Sequence, residues 1–258
     1  MDDLLIEQRG AACWLTLNRP ERRNALSRAL VRALHDAVVE AANNERCRCI
    51  VLAGAGTVFC AGADLNEFRE ASDSAVLTSD GEMLSRTLEA LNTSPKPVIA
   101  RVHGAALGGG VGLVAAVDFA IGVPDARFTL SEVRLGITPA VISPFVLRAL
   151  GRRRAQAFML ASTPMNATQA LTQGLLTAVV EADGLDAAVD ALALSLSQAA
   201  PGALAAVKTL LRDIDGRSPA EAREVTVRQL AERRASAEGQ EGMSAFLEKR
   251  TPSWTPAT

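Results

Sequence analysis

Aromatic residues make up only 3% of the chain and tyrosine is absent, which argues against a surface that grips nucleic acid by stacking bases. Net positive charge is missing too. The formal balance is −2 with a pI near 5.8, so no global field draws in RNA, DNA or an anionic membrane, and any anionic ligand must be held locally. No stretch approaches the ~18 uninterrupted apolar residues of a membrane span, and the start MDDLLIEQRG is acidic, unlike a basic region followed by an apolar run. A cytoplasmic protein with no membrane partner is expected. Cysteine is scarce as well: Cys13, Cys47, Cys49 and Cys60, with two histidines, His35 and His103. One Cys-x-Cys pair without a second argues against a structural zinc site or a disulfide framework, so no metal is expected.

What is abundant is apolar: 48% of 258 residues, enough to fill the core of a large α/β domain or of a core with a smaller appendage. Residues 12–17 read as a short strand broken by Asn18-Arg19-Pro20. From Asn24 the pattern is helical, with Leu26, Leu30, Leu34 and Val38 recurring every four residues. Residues 48–53 (RCIVLA) form a second, buried strand that ends in the turn signal Gly54-Ala55-Gly56. Pro95-Lys96-Pro97 introduces a third strand over 98–102, a glycine-rich segment follows, and another apolar stretch runs over 119–123. Strands alternating with helices imply parallel pairing through crossovers, hence an α/β core over residues 1–185. Beyond it, 186–199, 203–214, 219–235 and 240–249 read as helices, giving a helical C-terminal region over 186–258. The Ser-, Asp- and Ala-rich stretch 69–80 is expected to be a mobile loop or frayed helix over a site.

Two segments carry chemistry. Residues 54–65, GAGTVFCAGADL, run from an apolar strand through small residues into a helix start near Asp64. Residues 103–112, HGAALGGGVG, place three consecutive glycines before an apolar run. Small residues let a ligand approach the main chain, and free N–H groups at a helix entrance bind developing negative charge. An ordinary strand-to-helix turn and close packing explain the same residues, and neither segment alone decides. No Gly-Lys-Ser/Thr follows, so the second is not a Walker loop, and it does not meet the dinucleotide fingerprint.

Taken with NRPERRNAL (18–26), FCAGADL (59–65), HGAALGGGVGL (103–113), FTLSEVRLGI (128–137) and the tail EGMSAFLEKR (241–250), the chain resembles the enoyl-CoA hydratase/isomerase (crotonase) family along nearly its whole length. The resemblance implies a spiral of ββα units with a helical C-terminal trimerisation region, assembled as a homotrimer or dimer of trimers. It implies an acyl-CoA thioester substrate, whose coenzyme A is part of the substrate, and no separate cofactor. It places oxyanion-stabilising N–H groups at Ala63, after Ala61-Gly62, and at Gly109, and an acid/base carboxylate at Glu132. Arg23, Ala25, Ala61, Asp64 and Leu65 fall where family members approach substrate or CoA. Phe246 and Lys249 fall where the tail reaches the nucleotide end of CoA across the trimer.

One departure stands out: two-glutamate hydratases carry a second glutamate where this chain has Gly112. Members with one carboxylate include hydratases and double-bond isomerases, so the resemblance implies hydration of a 2-enoyl-CoA, with Δ3,Δ2-isomerisation as the alternative. GGGVGL followed by LSEVRLGITPAVISPFV looks like the hydratases of branched, glutaconyl-type esters, the 3-methylglutaconyl-CoA or isohexenylglutaconyl-CoA class. A second substrate carboxylate would favour a pocket arginine, among Arg69, Arg86 and Arg134. On the residues alone the plainer reading of Glu132 is a cap or an ion pair with a neighbour such as Arg134. Cys60 could be a nucleophile or small buried packing, His103 a base or a structural hydrogen-bonding group, and Arg22 and Arg23 a phosphate contact or a solvated helix entrance. Asp118 and Asp125 read as strand end and turn, and Arg152–Arg154 as a charged helix start. A noncatalytic RNA-binding or scaffold protein on the same fold is the alternative of a different class.

Overall fold

The computed structural model describes residues 2–70 and 73–255. Its strands are β1 (Leu4–Arg9), β2 (Ala12–Leu17), β3 (Cys49–Gly54), β4 (Val98–Val102), β5 (Ala105–Leu107), β6 (Phe119–Gly122), β7 (Arg127–Thr129), β8 (Met165–Asn166) and β9 (Ala178–Val179). Its helices are α1 (Arg28–Asn43), α2 (Leu65–Glu70), α3 (Ser74–Thr93), α4 (Gly109–Ala116), α5 (Ser143–Leu150), α6 (Arg152–Ala161), α7 (Ala167–Gln173), α8 (Leu185–Ser197), α9 (Pro201–Ile214), α10 (Pro219–Ala235) and α11 (Ala237–Leu247).

One sheet has the order β1-β2-β3-β4-β6-β9 and a second the order β5-β7-β8. In the first, β2, β3, β4, β6 and β9 pair in parallel, with β1 antiparallel at the edge. Parallel strands covered on both faces read as continuous apolar runs, and β3 accordingly buries every residue of CIVLAG. The edge strand β1 buries only Leu4. The polar and apolar alternation there is weak because the strand has one neighbour and faces solvent, which is why sequence reading passed over it. α1 lays Leu30, Val31, Leu34, Ala37, Val38 and Ala41 into the core, and the Ser27 hydroxyl caps it by accepting from the Leu30 N–H. These apolar positions recur at helical spacing, so one face of α1 covers the sheet.

One expectation is corrected and one pair of alternatives is decided. Helix α1 starts at Arg28, not Asn24: Asn24 has φ +56°, and Leu26 forms a parallel bridge with Ala63 instead of sitting on the helix face. In 69–80, expected as a mobile loop or a frayed helix, residues 69–70 and 74–80 are helical. α2 ends at Glu70 and α3 begins at Ser74, where the Asp73 carboxylate accepts from the Ala75 N–H at 2.8 Å and caps the new helix; Ala71 and Ser72 lie outside the described residues. In the C-terminal half, α8 places Leu185, Val189 and Ala193 in the core cluster, while α9, α10 and α11 place nothing in it. Arg48 ties the far end back, donating to the carbonyls of Ala199 and Trp254 at 2.7 Å each. No helix among the described residues is long and apolar enough to cross a membrane.

Candidate active site

Three segments meet beyond the carboxyl ends of β3 and β4. The loop after β3 runs beside the chain that joins β4 to α4: Phe59 N–H donates to His103 O at 2.9 Å, Cys60 N–H to Ala105 O at 3.1 Å, and Leu107 N–H to Cys60 O at 2.9 Å. The segment before α1 closes the other side, with Leu26 N–H donating to Gly62 O at 2.7 Å, Asp64 N–H to Leu26 O at 3.1 Å and Ala61 N–H to Arg23 O at 2.9 Å. Asn24 locks that segment in place. Fully buried, it donates from Nδ2 to the carbonyls of Ala55 (2.8 Å), Val58 (2.9 Å) and Phe59 (3.2 Å) and accepts from the Arg19 N–H at 2.9 Å.

This frame brings the two glycine-rich segments together. Gly62 (φ +88°) has no room for a side chain, since a Cβ there would lie 2.8 Å from Leu107 O and 3.5 Å from Gly109 N. No backbone acceptor is present among the described residues for the N–H of Ala63 or of Gly109. Gly109 is the first residue of α4, whose buried N-terminus adds its dipole to that N–H. Two free donors side by side are what a developing oxyanion requires.

Glu132 opens a short 3-10 helix, Glu132–Leu135. Its Oε1 stands 3.1 Å from where a Cβ on Gly108 would be, beside the Gly109 donor, and its Oε2 is buried with no hydrogen-bond partner. Burial pushes its carboxyl above the ordinary value, against the opposing hydrogen bonds from the backbone of Glu132 and Ser131. No ion pair joins Glu132 to Arg134 among the described residues, and Arg134 is exposed. A half-buried carboxyl with an unused oxygen next to an oxyanion site is placed for proton transfer.

The position of the second glutamate is closed. Gly112 lies in α4, and a Cβ on it would come 2.3 Å from Ile142 Cγ2 and 2.8 Å from Ile142 Cβ, with Leu88 Cδ1 at 3.8 Å. Ile142, 3% exposed, fills the volume that a carboxylate would need. Gly112→Glu is therefore expected to destabilise the fold by about 3 kcal/mol or more through overpacking, and Ile142→Ala added to it should recover part of the loss. A single variant with parental thermal melting would show that Ile142 does not occupy this space.

The remaining residues divide clearly. Ala25, Ala61, Ala63, Asp64, Leu65, Gly109 and Glu132 belong to one locality, with the Arg23 side chain and Leu65 exposed at its rim. The Asp64 side chain is committed elsewhere, paired with Arg19 Nη1 at 3.1 Å and accepting from the Asn66 N–H at 3.2 Å. Arg19 went unnoticed in the sequence, since the arginine of an Asn-Arg-Pro break looks like a turn residue. Phe246 and Lys249 lie at the outer end of α11, and Phe246 is 83% exposed. Arg86 pairs with Glu82 at 3.7 Å and Arg69 closes α2.

Cys60 is structural. Its thiol donates to Asn24 O at 3.2 Å, the Gly62 N–H donates to its sulfur, and burial pushes it up to about 12. His103 accepts at Nδ1 from Arg101 (3.1 Å) and donates from Nε2 to Gly56 O (2.9 Å), and burial lowers its pKa, so the ring is neutral and both nitrogens are used. Asp118 accepts from the Val98 N–H at 2.8 Å and from Lys208 at 2.5 Å, a strand-end clamp. Among the described residues no group of His, Cys, Asp and Glu is gathered to hold a metal ion.

Parallel strands bringing two unpaired N–H groups and one half-buried carboxyl into one locality define an α/β protein with a candidate oxyanion site. Comparison with known proteins makes the class specific. Residues 7–257 match the enoyl-CoA hydratase/isomerase family. The chain is 37% identical to the 2,3-dehydroadipyl-CoA hydratase of Escherichia coli K12, covering 98% of each. It is 34% identical to the mevalonyl-coenzyme A hydratase sidH of Aspergillus fumigatus, covering 94% of this chain and 91% of that one. The solved enoyl-CoA hydratase from Shewanella pealeana superposes with a TM-score of 0.94 at 37% identity, covering 98% of this chain and 96% of that one. The chain belongs to the enoyl-CoA hydratase/isomerase (crotonase) family, and its fold is the crotonase fold.

Proposed function

We propose that this enzyme hydrates a 2-enoyl-CoA thioester through an enolate held by the N–H groups of Ala63 and Gly109, with Glu132 moving both protons. The observation that carries the reading is the orphaned, buried Oε2 of Glu132 beside the Gly109 donor. Glu132 takes a proton from water as the water oxygen bonds to Cβ; the double-bond electrons shift to the thioester oxygen between the two N–H groups. Collapse of the enolate then takes the proton from Glu132 onto Cα. With Ile142 filling the space at Gly112, one carboxylate performs both transfers, and the protein's own groups suffice without a separate cofactor.

The acyl group is of the branched or glutaconyl type. The GGGVGL and LSEVRLGITPAVISPFV pattern supports this. Two relatives are named for other acyl groups, 2,3-dehydroadipyl and mevalonyl, so the sequence pattern alone carries this assignment. The absence of a carboxylate at Gly112 also suits a second reading, Δ3,Δ2-isomerisation with Glu132 shuttling one proton. Incubation with straight, branched and carboxylated enoyl-CoAs, followed by mass spectrometry, separates them. Gain of one water supports hydration, and double-bond migration at constant mass replaces it with isomerisation.

CoA binding in this reading is completed by a neighbouring subunit of a homotrimer or dimer of trimers, with the Phe246 ring stacking on adenine and Lys249 pairing with phosphate. Lys249→Ala should weaken affinity for acyl-CoA about tenfold while leaving affinity for a pantetheine thioester and the assembly unchanged. Calorimetric titration of both ligands checks this, and equal losses would reject the contact.

A further inference from the structure

A trans peptide points its C=O and N–H in opposite directions, and no cis peptide occurs among the described residues. The peptide joining Gly62 to Ala63 therefore aims the Ala63 N–H away from whatever Gly62 O accepts. That partner is the Leu26 N–H at 2.7 Å. The Leu26 N–H belongs in turn to the peptide whose carbonyl, Ala25 O, accepts from Arg19 Nη1 at 2.6 Å. We infer that Arg19 is a positioning residue of the oxyanion site: its guanidinium heads a relay of two peptides, through Ala25 and Gly62, that ends at the Ala63 N–H.

The inference rests on the reading of Ala63 as a donor to the thioester oxygen, and it adds what aims and polarises that donor. Hydrogen bonds in series polarise one another where the local dielectric is low, and a charged donor at the head makes the first bond the strongest. Positive charge at Arg19 draws electron density along both peptides, so the terminal N–H meets a developing oxyanion with more partial positive charge. The same guanidinium also fixes direction. Its Nη1 pairs with Asp64 Oδ2 at 3.1 Å, and Asp64 follows Ala63. With Asp64 N–H donating to Leu26 O at 3.1 Å, the chain is gripped on both sides of Ala63 and its N–H is left facing the substrate. Arg19 is itself held: its side chain is 14% exposed, its Nε lies 3.5 Å from Asp3 Oδ2, and its backbone N–H donates to Asn24. Nη1 alone addresses the carbonyl and the carboxylate while Nε lies toward Asp3, and a lysine ammonium, a single point charge on a flexible stem, does not reproduce that planar set of donors.

The test uses variants and a reporter that needs no turnover. Arg19→Gln combined with Asp64→Asn avoids stranding a buried carboxylate, and Arg19→Lys is the conservative companion. Infrared spectra of bound butyryl-CoA, labelled at the thioester carbonyl carbon, read the polarisation of that bond directly, because a saturated acyl group cannot be hydrated. In the parent the carbonyl band should fall to lower frequency on binding. In the double variant it should move back toward that of the free thioester, with kcat down on the order of tenfold, less than the ~10²–10³ lost with a whole donor, and KM within about twofold. Arg19→Lys should lie between. A pair with a purely structural role would lower the melting temperature and leave the band in place, and that result in either folded variant overturns the relay. If the double variant does not fold, Arg19→Lys gives the same reading alone. A parental band that does not shift at all overturns the donor assignment together with the relay, whereas a shifted parental band insensitive to both variants overturns the relay only.

Discussion

Glu132→Gln should lower turnover by ~10² or more while the protein folds, assembles and binds acyl-CoA as before, because the substitution keeps shape and removes only the group that accepts and returns the proton. Turnover close to parental would take Glu132 out of the mechanism. The pH profile gives an independent check. Burial raises the Glu132 pKa from its ordinary value, and the base form is the active one, so kcat/KM should fall as pH drops through a limb lying above the usual carboxylate range. That limb should vanish from the residual activity of Glu132→Gln. Stability should move the other way. A carboxylate whose folded pKa is raised holds its proton more tightly in the folded state, so its favourable contribution is present at low pH and lost as pH rises through the folded pKa. At neutral pH the glutamine variant should therefore melt at or above the parental temperature, the difference shrinking in acid. Thermal melts at two pH values check this, and a lower neutral melting temperature would show that the buried oxygen is not the liability its missing partner implies.

Gly109→Pro should cost ~10²–10³ in kcat, the scale of losing one preformed oxyanion donor. Proline suits the position conformationally, since Gly109 is the first residue of α4 and a proline there gives up an N–H that no helical partner uses. A Cβ at 109 would meet Leu26 Cδ1 at 2.9 Å, the end of a flexible side chain. Gly109→Ala shares that crowding and keeps the N–H, so it is the matched control. Steady-state kinetics on the two variants separate donor from shape: a large loss confined to proline supports the donor, and equal losses in both would assign the effect to crowding at Leu26.

Much of the site was legible in the chain because its parts are local. FCAGADL and HGAALGGGVGL are each short runs in which small residues mark where main chain must come close to something else, and their order along the sequence carries the family. Strands β2 and β4 were readable over their full lengths, since a buried parallel strand is a mostly apolar run, broken here only by Thr16 and Arg101. Leu26 shows where such reading fails. Its spacing to Leu30 and Leu34 fits a helix face, yet it bridges Ala63, a residue distant in sequence, and Asn24 with positive φ ends the helical pattern before it begins. Periodicity reports which side of a helix is buried, and it is blind to a partner contributed by another part of the chain.

The sequence by itself determined the family, the α/β alternation, the helical C-terminal region and the candidate donors and base, all of which depend on residue type at short spacing. Tertiary structure alone decided that Ile142 occupies the volume at Gly112, that Asp64 faces Arg19, and that the Ala63 N–H is turned outward by a line of peptides reaching back to Arg19. The physical reason is common to all three. Excluded volume, ion pairing and peptide orientation are set by groups brought within a few ångströms by folding, and their separation along the chain, from 30 residues for Gly112 and Ile142 to 45 for Arg19 and Asp64, leaves no pattern for sequence spacing to register.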